Sequence, residues 1–186
     1  MTASRRIFFA LWPDPSVAQA LDALAAEAHT VCGGRRMRRD TLHLTLAFLG
    51  DVDAAQFGVA NAVADEVAQK VGAGGTALHI DRLACWKHNH IVWAGCDSVP
   101  DAVVGLADEL AATLRRHGFQ LDRRPFAAHV TLLRNARCGG ELPPAPALDW
   151  PVREFVLAQS RPGPAGARYE IVGRWPLAGP PLQPMG

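Results

Sequence analysis

The chain has 186 residues and is 49% hydrophobic and 20% charged, which is an ordinary composition for a globular protein. A net charge of +1 excludes a global field that would recruit long nucleic acid or an anionic membrane. No apolar stretch approaches the ~20 residues of a transmembrane helix, and the first apolar run meets Pro13 too soon for a signal peptide. These features predict a cytoplasmic protein that is not attached to a membrane.

The first half of the chain predicts two strands and two helices. In chain order these elements are a strand (5–11), a helix, a basic glycine-bearing loop (32–40), a strand ended by Gly50 (42–50) and a second helix (53–70). Asp14 and Pro15 have the order of an N-cap and a first helical residue. The helix that follows has an apolar face formed by Val17, Leu21, Leu24, Ala28 and Val31.

The second half predicts the same order again, followed by two closing strands. After a strand over 76–86, the predicted elements are a strand (91–96), a helix ended by Gly118, a loop with a basic doublet (121–128) and a strand (129–134). A proline-rich segment, 141–151, is expected to be an exposed connector. Strands over 152–160 and 167–175 close the fold, and residues 177–186 are expected to form a flexible tail.

A His-x-Thr motif occurs once in each half, in HLTLAFLG from residue 43 and in HVTLLR from residue 129. The intervals from Ile7 to His43 and from Ile91 to His129 are nearly equal, and a basic doublet precedes each histidine. This echo suggests two similar strand–helix–strand units, each of which delivers one such motif.

The spacing of the motif places its two polar side chains on one face of a strand, because residues i and i+2 point the same way. Two facing imidazoles, with an ordinary pKa of about 6.5, can serve as one base and one acid near neutral pH. Threonine hydroxyls beside them can donate to phosphate oxygens. This is the set of groups that in-line attack on phosphorus requires.

These residues, with RIFFALWP at the start, resemble the two-histidine phosphoesterase superfamily. Within it, the chain is similar to the bacterial RNA 2′,3′-cyclic phosphodiesterase family, also called 2′–5′ RNA ligase, from about residue 5 to residue 175. The resemblance implies an α+β, bilobal fold with two pseudo-symmetric strand–helix–strand lobes around a central cleft, in a single domain of residues 1–186. It also implies opening of an RNA-terminal cyclic phosphate to a 2′-phosphomonoester, without metal or cofactor.

The resemblance further assigns the site residues: His43 and His129 as the acid–base pair, and Thr45, Thr131 and Arg134 as phosphate-binding residues. Strict strand alternation would put Arg134 on the face opposite His129. A bend after Leu133 is therefore required to bring Arg134 into the cleft.

Other residues leave alternatives open. The arginine cluster 35–39 is either a solvated loop or a rim that attracts RNA phosphates. The tryptophans are expected in the core rather than as stacking platforms, and alternation also predicts Phe48 in the core. His88 and His90 have the spacing of a metal pair but no third ligand, so a polar turn or a polar edge is expected.

The scattered cysteines form no CxxC pair, which argues against a zinc cluster or a disulfide framework and predicts a reducing compartment.

The leading functional hypothesis is a metal-independent phosphodiesterase that acts on RNA with a 2′,3′-cyclic phosphate end or on a small cyclic nucleotide. An RNA ligase is the reverse reaction and cannot be separated from it by sequence. A non-catalytic module that binds RNA ends would have no need of two titrating groups, and a metallohydrolase lacks an evident ligand cluster. No obligate protein partner is evident, so a monomer is expected.

Overall fold

A computed structural model describes residues 4–71, 75–164 and 166–177. Over these residues the chain forms three α-helices, α1 (Pro15–Cys32), α2 (Ala54–Lys70) and α3 (Asp101–Arg116), and a 3₁₀ turn (Arg39–Thr41). The strands are β1 (Arg5–Leu11), β2 (Arg35–Arg36), β3 (Leu44–Val52), β4 (Ala77–Ile80), β5 (Arg82–Trp86), β6 (Ile91–Gly95), β7 (His129–Arg134), β8 (Leu148–Pro151), β9 (Glu154–Arg161) and β10 (Arg168–Pro176). The predicted α+β class is confirmed.

An antiparallel eight-stranded sheet organises the described part of the chain, in the order β10-β9-β1-β3-β7-β6-β5, with β2 paired to β7. Strands β3 and β7 meet at its centre, where Leu44 pairs with Val130. The units β1–α1–β3 and β6–α3–β7 therefore lie side by side about this contact, as the sequence echo predicts. Strands β4 and β8 form a separate two-stranded sheet.

Alternation along the central strands separates an apolar core from a polar face. Ile7, Phe9 and Leu11 of β1 are fully buried in the main core, together with apolar residues of all three helices. Phe8 and Ala10 point to the other face, where they form a small cluster with residues of β9. The motif histidines and threonines project from this second face, so the helices pack behind the site.

The helix starts follow the expected capping chemistry. The Asp14 carboxylate accepts from the backbone N–H groups of Ser16 and Val17 at 2.9 and 3.0 Å, and these bonds lower the pKa of that carboxyl. Asp53 and Gln56 form a reciprocal capping box at α2. The predicted apolar face of α1 is confirmed except at Val31, which is 43% exposed in the last turn.

Two matched β-bulges change the direction of side chains in β3 and β7. Opposite one step of β1, from Phe9 to Ala10, β3 advances from Ala47 to Thr45 and inserts Leu46 as an extra residue. Opposite one step of β6, β7 likewise inserts Leu132 between its paired residues. Each inserted leucine directly follows the motif threonine, so the two units share the same irregularity.

Several predicted boundaries were wrong. Gly50 does not end β3 but lies inside it with φ +77°, after a further bulge at Leu49. The single strand predicted over 76–86 is two strands in different sheets, because the chain turns at Asp81 between β4 and β5. The connector 141–151 contains strand β8, in which Trp150 is buried against the core.

The prediction of a flexible tail over residues 177–186 is wrong at its first residue. Leu177 is buried, and its N–H donates to the backbone oxygen of Arg153 at 2.8 Å. Residues 178–186 lie outside the described residues.

Cys85 on β5 and Cys138 after β7 form a disulfide across 6.6 Å between their Cα atoms. This contradicts the expectation that the cysteines remain unpaired, since spacing in sequence does not reveal which cysteines the fold brings together. Cys32 and Cys96 are free and buried, and burial raises the pKa of both thiols, that of Cys96 to about 11.

No helix in the described ranges is long and apolar enough to cross a membrane.

A glycine fixes the position of β2 against β7. Gly34 has φ +83°, and a Cβ there would lie 2.6 Å from the backbone oxygen of Arg134. Gly34→Ala should therefore lower the free energy of unfolding by roughly 2–5 kcal/mol, from left-handed strain plus a clash with backbone atoms. Gly118→Ala is the matched control, with φ +87° and nothing within 4 Å of the added Cβ, and it should lose only about 1–2 kcal/mol. Equal losses in urea unfolding would contradict this close approach.

Candidate active site

A groove of about 550 Å³ crosses the polar face of β3 and β7. Its lining contains every site residue that the sequence predicted: His43, Thr45, His129, Thr131 and Arg134. The two strands contribute equivalent pairs because they meet at Leu44 and Val130, the residues between each histidine and its threonine. The structure thus brings together two motifs that lie far apart in the chain.

Each histidine makes the same kind of hydrogen bond, from its ring to a backbone carbonyl oxygen two residues earlier in the chain. The Nδ1 atom of His43 lies 2.7 Å from the backbone oxygen of Thr41, and that of His129 lies 2.7 Å from the backbone oxygen of Ala127. Because a carbonyl oxygen only accepts, each Nδ1 carries a proton and donates it. Each neutral ring therefore has its Nε2 as the acceptor.

Thr41 supports this arrangement, although sequence reasoning did not single it out. It is buried, and its hydroxyl donates to the backbone oxygen of Arg38 at 2.7 Å across the 3₁₀ turn. This bond fixes the backbone oxygen that receives the Nδ1 proton of His43. On the other side of the ring, the hydroxyl of Thr45 is 3.1 Å from Nε2 and donates to it in the neutral form.

Both imidazoles have lowered pKa values. Burial is the main cause at His43 and brings its pKa to about 4, although the bond to Thr41 opposes this shift and the charges of His129 and Arg134 add to it. Burial also lowers the pKa of His129, with a smaller contribution from Arg134. The free groove therefore favours two neutral imidazoles at neutral pH. Arg134 lines the same groove as both rings.

Aromatic side chains surround the histidines, and this corrects the prediction that the tryptophans belong to the core. Trp12 stacks on His43 with 5.2 Å between centroids and an interplanar angle of 8°, and Tyr169 meets the same ring edge-on at 5.1 Å. Trp86 meets His129 edge-on at 4.6 Å. Only the positions of Trp150 and Trp175 agree with a core role, because both are buried.

A sequence signal for Trp12 was present. It continues the alternation of Phe8 and Ala10 past the end of β1, and these residues share the face that holds the site. Tyr169 comes from β10 and belongs to no motif, so it could not be predicted without the order of the strands.

The bulge at Leu132 brings Arg134 into the groove. Leu132 and Leu133 are both fully buried, so the alternation restarts and the next residue turns back to the face of His129 and Thr131. The required change of direction therefore occurs at Leu132, before the predicted position, and takes the form of a bulge.

The equivalent bulge at Leu46 turns Phe48 outward, so the prediction of a core residue was wrong. Phe48 is 46% exposed and lines the groove, whereas Leu46 and Ala47 are buried one after the other. Phe48 follows His43 at the interval at which Arg134 follows His129.

Arginines give the groove a positive charge that the net charge of the protein hides. Arg6, Arg35, Arg36 and Arg38 line it together with Arg134. Arg36 pairs with Asp22 at 2.7 Å, and Arg38 pairs with Asp40. In the described part of the chain, no carboxylate lies within ion-pair distance of Arg35 or Arg134. Arg35, Arg36 and Arg38 of the arginine cluster thus line the groove while remaining exposed, and Arg39 does not line it.

His88 and His90 lie in the turn between β5 and β6, as expected, and His90 has φ +57°. Among the described residues, no group of three His, Cys, Asp or Glu side chains could hold a metal ion.

Comparisons with known proteins agree with this geometry. The LigT-like phosphoesterase family model matches residues 11–93. An RNA 2′,3′-cyclic phosphodiesterase of Escherichia coli (strain K12) is 32% identical over 179 residues, covering 95% of this chain and 99% of that protein. One from Thermus thermophilus is 25% identical, covering 94% and 91%. The crystal structure of E. coli LigT complexed with 3′-AMP matches with a TM-score of 0.84 and 31% identity, over 94% of this chain and 99% of that one. The chain therefore belongs to the LigT-like phosphoesterase family.

Proposed function

We propose that the protein hydrolyses the 2′,3′-cyclic phosphate at the end of an RNA strand and leaves a 2′-phosphomonoester. The observation that carries the proposal is the pair of imidazoles, each oriented by a backbone carbonyl, in one groove with two threonines and Arg134. The relatives from E. coli and T. thermophilus are named RNA 2′,3′-cyclic phosphodiesterases, which supports the substrate and the hydrolysis but does not specify the product. The sequence hypothesis of a phosphodiesterase is therefore retained.

In the proposed reaction, His129 is the base and His43 the acid. Nε2 of His129 takes a proton from water, whose oxygen attacks phosphorus, and Nε2–H of His43 gives its proton to the departing 3′-oxygen. Nε2 of His129 makes no hydrogen bond within the described part of the chain, so its lone pair is available to water. Nε2 of His43 is already bonded to Thr45. The P–O3′ bond breaks, and the phosphate stays on the 2′-oxygen.

The other groove residues stabilise the phosphate. Once Nε2 of His43 is protonated, it no longer accepts from Thr45, and the hydroxyls of Thr45 and Thr131 donate to the non-bridging phosphate oxygens. The Arg134 guanidinium compensates the charge that develops on these oxygens. The rim arginines Arg35, Arg36 and Arg38 lie where the preceding phosphates of an RNA strand can be bound.

The position of the phosphate on the product, on the 2′- or the 3′-oxygen, tests the proposed reaction. An oligonucleotide with a 2′,3′-cyclic phosphate end, incubated with the protein in excess chelator, should be converted to a 2′-phosphate without loss of rate. The site draws its proton transfers and its phosphate contacts from side chains alone. Mapping the product by phosphorus NMR would test the proposal. A 3′-phosphate product would overturn the substrate orientation, and loss of activity in chelator with recovery on adding one divalent ion would overturn the mechanism.

Both histidines should be essential, His129 for taking a proton from water and His43 for giving a proton to the departing 3′-oxygen. His43→Ala and His129→Ala should each lower kcat by ~10²–10⁴-fold, because each removes one positioned proton transfer. A substrate with an activated 3′ leaving group needs no acid, so it should rescue His43→Ala and leave His129→Ala inactive. Rescue of the His129 variant instead would reverse the assignment. Unfolding curves of both variants serve as the control for folding.

The lowered pKa values predict an acidic optimum. The kcat/KM profile reports the free protein and should be bell-shaped with its maximum below pH 6.5, since both pKa values are lowered from that value. The two limbs belong to the coupled pair. The kcat profile should lie at higher pH, because a bound phosphate anion favours the charged imidazolium and raises its pKa. A kcat/KM maximum above pH 7 would contradict this account.

Two arginine variants test whether the charge of Arg134 contributes to the lowered pKa values of the histidines. Arg134→Gln should move the kcat/KM profile to higher pH, because removing a nearby positive charge raises both pKa values. Arg39→Gln should leave the profile in place, since Arg39 does not line the groove.

A further inference from the structure

Among the described residues, Trp12 is the only ring that is stacked on a histidine of the groove. Its indole is nearly parallel to the imidazole of His43, with 5.2 Å between the ring centroids and 8° between the planes. Trp86 and Trp93 meet the ring of His129 at 67° and 74° instead. The two histidines therefore share a backbone hydrogen bond but differ in their aromatic contacts.

The junction of β1 and α1 fixes the position of this indole. Leu11 is the last residue of β1 and pairs with Leu44, the neighbour of His43. Pro13 follows Trp12 and disfavours a helical backbone there. Trp12 lines a hollow of about 380 Å³ outside the groove and does not line the groove itself. It would therefore act on the reaction through His43 rather than by touching the substrate.

The charged groups that face His43 offer no anion to its protonated form. The charged and titratable residues that line the groove with it are Arg6 on β1, Arg35 and Arg36 on β2, Arg38 before the 3₁₀ turn, His129 and Arg134 on β7, and Tyr169 on β10. No carboxylate of the described residues lines the groove, and Asp40 beside the 3₁₀ turn is paired with Arg38. Protonation of His43 is therefore opposed by every fixed charge around it.

The carboxylates on the other side, where Trp12 lines the hollow, are engaged elsewhere. Asp14 accepts from the first N–H groups of α1, and Glu154 is paired with Arg174. Arg153, the remaining charged residue of this hollow, is again a cation. Apart from a bound phosphate, His43 thus depends on uncharged groups to favour its charge.

An indole face is such a group. The π face of tryptophan attracts a cation within about 6 Å of the ring centroid, and more strongly where water is excluded. The imidazole of His43 lies within this distance. Phe8 and Tyr169 also contact it, at 4.8 and 5.1 Å between centroids, so three rings enclose it. Burial lowers the pKa of His43, and the π face of Trp12 offsets part of that effect in a way that an aliphatic side chain could not.

We propose that Trp12 is a positioning residue for the acid: its indole face stabilises the imidazolium of His43 and holds that ring in place while Nε2–H gives its proton to the departing 3′-oxygen. The base, His129, has no stacked ring and stays neutral until it accepts a proton from water. The stack thus favours the charged form at one histidine only. This inference rests on the proposed hydrolysis, in which His43 is the acid.

NMR titration of the histidine rings measures this effect without turnover. In saturating inorganic phosphate, Trp12→Leu should lower the pKa of His43 by about 0.5–1.5, with a much smaller change at His129. Trp12→Phe keeps an aromatic face and should restore most of the value. Trp86→Leu is the matched control, because it removes a tryptophan beside the other histidine, and it should leave the titration of His43 in place. An unchanged pKa of His43 in Trp12→Leu, or equal changes at both histidines, would overturn the proposal.

Two substrates separate the charge of the acid from a general structural loss. On adenosine 2′,3′-cyclic phosphate, Trp12→Leu should move the high-pH limb of the kcat profile to lower pH, so that kcat falls about 3- to 30-fold above that limb and recovers below it. The analogue with sulfur at the bridging 3′ position releases a thiolate and needs no acid, so its kcat should be unchanged. Equal losses on both substrates would contradict the role of Trp12. If the unmodified protein hydrolyses neither substrate, the proposed function fails, whereas the NMR titration still decides the stacking.

Discussion

The groove depends on one backbone irregularity that occurs twice, the bulge at Leu46 in β3 and at Leu132 in β7. In a regular strand only alternate residues reach one face, so Phe48 and Arg134 would be directed into the core. The bulges reverse this and direct two consecutive residues inward after each threonine. Both inserted leucines are buried in the core against which the helices pack. Packing behind the sheet therefore holds the bulges, and the bulges arrange the groove.

The groove and its histidines are matched to an anionic ligand. Burial among aromatic rings and the nearby charge of Arg134 both lower the pKa of His43. Both effects oppose the protonated form that an acid must have. A phosphate anion bound between the strands offsets the charge of Arg134 and favours imidazolium instead. The substrate itself would thus create the protonation state that its reaction requires.

The sequence was sufficient for the three helices, for most of the strands and for the chemistry of the two motif strands. Helix caps, apolar stripes and the His-x-Thr motifs are local patterns, and the structure agrees with them at Asp14, His43 and His129. The features that the sequence did not predict depend on contacts between residues that lie far apart in the chain. A bulge is defined by the strand opposite, so the direction of Phe48 could not be derived from β3 alone. Likewise, the disulfide joins two segments that only the order of strands brings together.

The two units share a backbone arrangement but differ in side chains at equivalent positions, and these two facts have different consequences for this site. The shared backbone gives two histidines with the same tautomer, placed across a groove, as acid and base require. A fully symmetric groove would bind a cyclic phosphate equally well in two orientations, because its 2′ and 3′ oxygens are nearly equivalent. Selection of one product needs a difference between the two walls. Phe48 and Arg134 differ at equivalent positions, so the two walls of the groove share their backbone irregularity and remain chemically distinct.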